Sequence, residues 1–398
     1  MPAVTNYRSV LVTLFTTLLV GQVNGQNLDL ADRWSDRSGK LVITVSDPFI
    51  ISSRLTRPEL GAHEQPHLFK MPDGDILLIF HEDPDIHGAK RVILRSQNRG
   101  KTWAVEPEYV NRDEAVGSLR DGTVLIYDCY SFLKGDNVYA KDMFISRDKG
   151  ATFQGPMLAM LHAPELGKTR SSPVSDRIKK IAARYKKTSA RWSNANGPNF
   201  WRTVLELDDG TLLACGHTKF EHDPTCCRIV CYVSTDKGMN WRVLATVAQD
   251  DKIGFYEPVM SLCSNGDVLC VIRTGGYRPL MQARSTDGGE TWAEFKKTGS
   301  LGVDPDLCLM KSGILACSYG RPGNRIMFSV DGTGKQWTDR VQVYEYKTGS
   351  FGYTGIVEVE PDKLLYVYDR RDKYPEYDGK QTTAIQGVYI TVHRKNSP

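Results

Sequence analysis

The chain has 398 residues, of which 25% are charged and 40% hydrophobic, and carries a net charge of +4. So even a balance argues against a nucleic-acid partner, and no stretch approaches the roughly 18 consecutive apolar residues of a membrane-spanning helix. Nine cysteines, an odd number, leave at least one without an intramolecular partner.

The first 25 residues read as a secretory signal. Arg8 gives a positive start, Ser9 to Val20 is an apolar run, and Val23-Asn-Gly25 has the small-x-small pattern of a cleavage site. Residues 26–398 contain no linker and predict one domain, exported from the cell. Strands near residues 41–51 come first. A series of hairpins follows, each marked by a turn between apolar runs: Pro72-Asp-Gly74, Arg120-Asp-Gly122, Asp208-Asp-Gly210, Ser264-Asn-Gly266, Lys311-Ser-Gly313 and a degenerate Glu360-Pro-Asp362-Lys363. Similar apolar runs come after them, from Ile76-Leu-Leu-Ile79 to Leu364-Leu-Tyr366.

Five of these units end in one short pattern: Ser96-Gln-Asn-Arg-Gly-Lys-Thr-Trp103, Ser146-Arg-Asp-Lys-Gly-Ala-Thr-Phe153, Ser234-Thr-Asp-Lys-Gly-Met-Asn-Trp241, Ser285-Thr-Asp-Gly-Gly-Glu-Thr-Trp292, and a stretched copy from Ser329 to Trp337. Asp or Asn bonds its own backbone, Gly permits positive φ, and the aromatic packs the turn onto the next unit. Repetition in register predicts an all-β fold: a six-bladed β-propeller of four-stranded antiparallel blades, closed by the strands near 41–51. A seventh blade has room only in residues 154–198, which lack strand alternation and read as an insertion near 155–198 with a basic stretch from Arg177 to Arg191. Cys308 and Cys317 flank the Lys311-Ser-Gly313 turn, so a cross-strand bridge and simple burial are both open. No CxxC pair suggests zinc and no Asn-x-Ser/Thr sequon is present.

Register locates the functional face. Residues about nine before each turn glycine and about seven after it ring one mouth of a central cavity. The first ring reads Gln65, Asp113, Arg202 (one place later), Glu257, Asp304 and Tyr353; the second reads His81, Cys129, His217, Arg273, Arg321 (one place later) and Arg370. His67, two residues beyond Gln65, faces the same side. Polar and titratable residues at nearly every position predict a solvated functional cavity. Guanidinium forks suit a carboxylate, so an acidic sugar is the expected guest.

The five repeats are Asp-boxes, and from about residue 60 to 395 the chain resembles the sialidase superfamily. The resemblance implies an arginine grip on a sugar carboxylate, here at Arg273 and Arg321, and a nucleophilic Tyr353 (in Phe-Gly-Tyr-Thr-Gly) paired with Glu257 (in Phe-Tyr-Glu-Pro). Where a sialidase has Arg-Ile-Pro, this chain has Glu64-Gln-Pro66, so the third arginine is missing. Asp83 and Asp85 are the loose candidates for the acid/base. At the place of the catalytic third-blade Glu of fungal-type exo-arabinanases stands Arg202.

The chain also looks like secreted rhamnose–glucuronate polysaccharide lyases at His67, His87 and Arg202. The first unit carries His63, His67, His81 and His87, and histidine suits proton transfer near neutral pH. The leading expectation is therefore an enzyme that cleaves a terminal bond in a uronate-containing glycan by β-elimination. Its catalytic residues would be drawn from His67, His81, His87, Arg202, Glu257 and Tyr353, its substrate contacts from Gln65, Asp113, His217, Arg273, Asp304 and Arg321. A Tyr353/Glu257 hydrolase of sialidase or exo-arabinanase type and a non-catalytic glycan-binding propeller are the alternatives. The expected partner is an acidic oligo- or polysaccharide, the expected state a monomer. No cofactor or metal is expected, with a calcium ion left open.

Overall fold

The computed structural model describes residues 38–61, 63–81, 91–106, 113–129, 131–164, 198–223, 227–276, 278–345, 352–374 and 380–395, and of positions 81, 113, 114, 372–374, 380 and 381 the backbone only. The signal segment, His87, Asp83, Asp85, Cys226 and the basic stretch lie outside these residues.

In chain order, β1 (Leu41–Val45) and β2 (Phe49–Ser53) precede a four-stranded sheet of β3 (Glu64–Lys70), β4 (Ile76–His81), β5 (Arg91–Ser96) and β6 (Ala104–Val105). The second unit has β7 (Asp113–Ser118), β8 (Val124–Asp128), β9 (Phe132–Gly135), β10 (Val138–Ser146) and β11 (Gln154–His162). The third has β12 (Arg202–Glu206), β13 (Leu212–Thr218), β14 (Arg228–Ser234) and β15 (Asn240–Ala248). Two four-stranded sheets follow: β16 (Phe255–Leu262), β17 (Val268–Thr274), β18 (Pro279–Ser285) and β19 (Ala293–Leu301), then β20 (Val303–Leu309), β21 (Leu315–Gly320), β22 (Asn324–Ser329) and β23 (Thr338–Tyr344). The last contains β24 (Thr354–Glu360), β25 (Lys363–Tyr374) and β26 (Lys380–Arg394).

Every expected turn joins the first two strands of a unit, where the chain must reverse within two or three residues. The strands after the turns are buried on both faces, as at Ile76–Phe80 and Val124–Tyr127, because each sheet packs between two others. As the sequence suggested, β1 and β2 complete the last sheet: both pair with β26, Leu41 opposite Arg394 and Phe49 opposite Gly387. The first strands β3, β7, β12, β16, β20 and β24 touch in succession, and β24 returns against β3.

The Asp-boxes show why the pattern recurs. In each, the serine Oγ donates to the Asp or Asn side chain and accepts the backbone N–H of the glycine, as from Ser234 to Asp236 (2.8 Å) and from Gly238 to Ser234 (3.0 Å). Trp103, Trp241 and Trp292 donate their indole N–H to the carbonyl of their own box glycine. The turn leans on the preceding unit, not on the following one as the sequence suggested. Gly150 lies against Met71, Gly238 against Tyr127, Gly289 against Leu213 and Gly334 against Leu269, while Gly100 of the first box meets Leu365 of the last sheet.

Separate four-stranded sheets are not found in the second and third units, which merge into one nine-stranded sheet. Arg202 pairs in parallel with Ala115, and Met160 with Asn240, so eight of the strands close on themselves. The cause is β11, which flanks β10 and offers its free edge to β15. Residues 155–162, expected to open an insertion, are thus ordered strand. Cys308 pairs with Ala316 and Cys317 with Leu307, so the two thiols are not opposite each other. Among the described residues, Cys129, Cys215, Cys231, Cys263, Cys270, Cys308 and Cys317 carry free thiols.

Candidate active site

The site is built on a bulge repeated at the start of the inner strands. Gln65, Arg202, Glu257 and Asp304 all have left-handed backbones, with φ of 56, 58, 45 and 46°. Non-glycine side chains rarely adopt this conformation, and three of the four precede a proline, which cannot donate to the ladder. The bulge breaks the pairing, turns the side chain off the pleat and stores strain where the surroundings hold it in place.

Three of these side chains form one chain of contacts. Arg202 donates from Nε to Oδ1 of Asp304 (3.2 Å) and from Nη2 to Oδ2, reaches the Thr354 carbonyl at 2.6 Å and lies 3.3 Å from Oδ2 of Asp306. The Asp304 N–H donates to Oε2 of Glu257 at 2.9 Å, and the Tyr353 hydroxyl donates to Oε1 at 2.6 Å. Arg273 adds a short ion pair to that same oxygen. His217 lies beside them, its Nδ1 3.3 Å from the Glu257 N–H and its Nε2 3.2 Å from the Asn199 side-chain amide. The aromatic rings of Tyr256, His217, Trp201, His67 and Tyr353 touch in sequence around these groups.

Burial sets the electrostatics. It raises Glu257 above the ordinary carboxyl range, with Arg273 opposing, and it holds the Tyr353 phenol well above its usual value, Glu257 adding to the effect. Burial would raise Asp304 as well, but the Arg202 guanidinium overcomes it and keeps this carboxyl ionised; Asp306, less well compensated, is pushed up to about 6. His67 is brought down to about 4 by burial and then by Arg202, so it is neutral at pH 7. Its Nε2, 3.6 Å from Asp304, makes no hydrogen bond to a described residue.

Seven expected site residues are thus brought together: His67, Arg202, His217, Glu257, Arg273, Asp304 and Tyr353. Gln65 shares their bulge, and its side chain donates no hydrogen bond to any described residue. Arg321 is half-buried just beyond Gly320, which lies directly against the backbone of Gly352. His81 pairs through its backbone with Glu64, and Asp113 with Asp128; their side chains lie outside the described residues, as does all of His87. Arg370 stacks on Tyr344. Arg202, expected to meet substrate, is 1% exposed and spent on internal acceptors. His63 lies apart from this cluster, buried on Phe80 and bonded to Gly61 and Ser52.

Sequence reasoning missed Trp201, whose indole N–H faces Asp304 at 3.4 Å, and Asp306. A signal existed for Asp306, which stands two residues beyond Asp304 on the same strand face. Among the described residues, no group of three or more His, Cys, Asp or Glu is arranged to hold a metal ion.

The repeats and the site define a sialidase-type BNR β-propeller. The model of the BNR repeat-like domain family matches residues 115–365, and the chain belongs to this family. A Dyadobacter fermentans protein of unknown function shares the fold, with a TM-score of 0.65 and 22% identity over 88% of this chain and 99% of its own. So does an α-L-arabinanase of Penicillium chrysogenum (TM-score 0.55, 16% identity, 86% and 98% covered). A Hadza microbial sialidase is similar at TM-score 0.57 and 14% identity, covering 85% of this chain and 66% of its own. No curated protein matches the chain.

Proposed function

We propose that the protein is an exported glycoside hydrolase, a six-bladed propeller that removes a terminal sugar with Tyr353 as nucleophile and Glu257 as its base. The observation that carries this reading is the 2.6 Å hydrogen bond from the Tyr353 hydroxyl to Glu257. A buried phenol is a poor nucleophile, but a carboxylate with a raised proton affinity, already bonded to it, takes its proton as the oxygen attacks. The new bond joins Tyr353 Oη to the anomeric carbon, and the glycosidic C–O bond breaks. Asp83 or Asp85 supplies the proton to the departing oxygen, and water then releases the sugar with retained configuration. Sialidases with a tyrosine nucleophile are a known departure from the two-carboxylate pattern of glycosidases. Arg273, 24% exposed with only Nη1 on Glu257, is offered with Arg321 and Gln65 to a carboxylate on the sugar.

Elimination has less support. Arg202 is enclosed with its own counter-ions, and His67, 3% exposed and held at about 4, is a weak base for a C5 proton. The test is a screen of sialylated, arabinan and uronate-rich glycans read by product mass, comparing wild type with Tyr353→Phe and His67→Ala. Hydrolysis adds the mass of one water to the products and is lost in Tyr353→Phe. An unsaturated product without added water, lost in His67→Ala, would replace this reading with elimination, and binding without turnover would replace it with a glycan-binding role.

A further inference from the structure

We infer that Arg202 and Asp304 are positioning residues that fix both members of the Tyr353–Glu257 pair from beneath, an inference that rests on the hydrolase reading above. The contacts form a closed circuit. From Arg202 one arm runs through the Asp304 carboxylate to the Asp304 N–H and on to Oε2 of Glu257. The other runs from Nη2 to the carbonyl of Thr354, the residue that follows Tyr353. The circuit closes where the Tyr353 hydroxyl meets Oε1 of Glu257. One guanidinium therefore sets the positions of the nucleophile and of its base together.

Two features make this arrangement specific. The Asp304 N–H points at Glu257 only because Asp304 is held at φ 46° ahead of Pro305, a conformation its own side chain secures through Arg202. The guanidinium also serves Asp304, Asp306 and Thr354 at once, which needs a planar fork with several N–H groups; an ammonium in the same place lacks that geometry. Arg202 is 1% and Asp304 0% exposed, so neither touches substrate, and their effect passes through Glu257 and Tyr353. Removing one partner outright would leave a buried charge uncompensated, so the informative changes are conservative.

The experiment uses the full chain with Arg202→Lys, checked for folding by near-ultraviolet circular dichroism. The Glu257 carboxyl is titrated by 13C NMR in glutamate-labelled protein and assigned with Glu257→Gln. In folded Arg202→Lys the Glu257 midpoint moves further up. It loses the Asp304 N–H bond, and Asp304 is less well neutralised, both of which favour the protonated form. On any glycan the wild type turns over, kcat falls about tenfold or more while KM stays within about threefold, the signature of a lost contribution to the transition state alone. An unmoved midpoint in folded protein, or a raised KM with kcat intact, overturns the inference, the latter by making Arg202 a substrate contact. Should Arg202→Lys fail to fold, Asp304→Asn is read in the same kinetic way, and an unchanged kcat there overturns it as well. If no glycan is cleaved, the hydrolase reading fails, while the titration still decides whether the circuit positions Glu257.

Discussion

Tyr353 and Glu257 share one proton, and the protein around them decides on which oxygen it rests. With the phenol held far above its ordinary value, the hydrogen stays on Tyr353 until a bond begins to form to its oxygen. Tyr353→Phe removes that oxygen and nothing else, so we expect kcat to drop by about a thousandfold or more with binding preserved, measured on the substrate found in the glycan screen. Glu257→Gln keeps shape and one acceptor but cannot take the proton; we expect a loss of similar size. Much of this pair was legible in the sequence, because residues at a fixed distance from six turns had to meet at one opening. Arg202 stood one place off that register, and the slip marks the bulge at which Trp201 wedges in beside it. Trp201 stands on that register, nine residues before Gly210, but an aromatic before a strand is ordinarily core, and its role comes from a contact with Asp304, about a hundred residues away.

At the scale of the element, the Asp-box is a turn whose glycine is pressed against another sheet. Gly238 has φ of 82°, and a methyl group there would collide with the Tyr127 hydroxyl, which donates to the Gly238 carbonyl. Gly74 has φ of 96° but open space around it. Gly238→Ala should therefore cost about 2 kcal/mol or more and Gly74→Ala about 1 kcal/mol, a difference read in paired denaturant titrations. Equal costs would mean that backbone strain alone, not the fit against the preceding sheet, selects glycine in the box. Hairpins were legible because Asp-Gly and Asn-Gly turns are local signals. The merger of the second and third units was not, because the parallel pairings of β7 with β12 and β11 with β15 involve two or three residues and no shared turn. Likewise the lean of each turn on the unit before it depends on tertiary packing, which a repeat alone does not orient.

Across the whole molecule, buried titratable groups tie stability to pH. His63 and His67 are both held at about 4, against an ordinary 6.5, chiefly by burial. Between those values the unfolded chain binds their protons and the folded chain does not, so these two groups lower stability as pH falls from 6.5 towards 4. Asp306, pushed up to about 6, acts in the opposite sense between about 6 and its ordinary 3.8. His63 lies apart from the active site and isolates the effect. In His63→Asn, which tolerates the left-handed backbone there, Tm should be lower than wild type at pH 7 through loss of the bonds to Gly61 and Ser52, and the gap should narrow by pH 4.5. A gap that widens in acid would mean that His63 is charged in the folded protein. The closed circle of first strands, sealed by β1 and β2 on β26, brings residues from four separate sheets into one buried cluster, and the proposed chemistry depends on it. The most direct measurement is the intact mass of the enzyme after incubation with a fluorinated sugar substrate that slows release, followed by peptide mapping. The account predicts a single glycosyl adduct on the peptide carrying Tyr353, absent in Tyr353→Phe. Turnover of the parent glycan with no adduct, or an adduct on another residue, would contradict it.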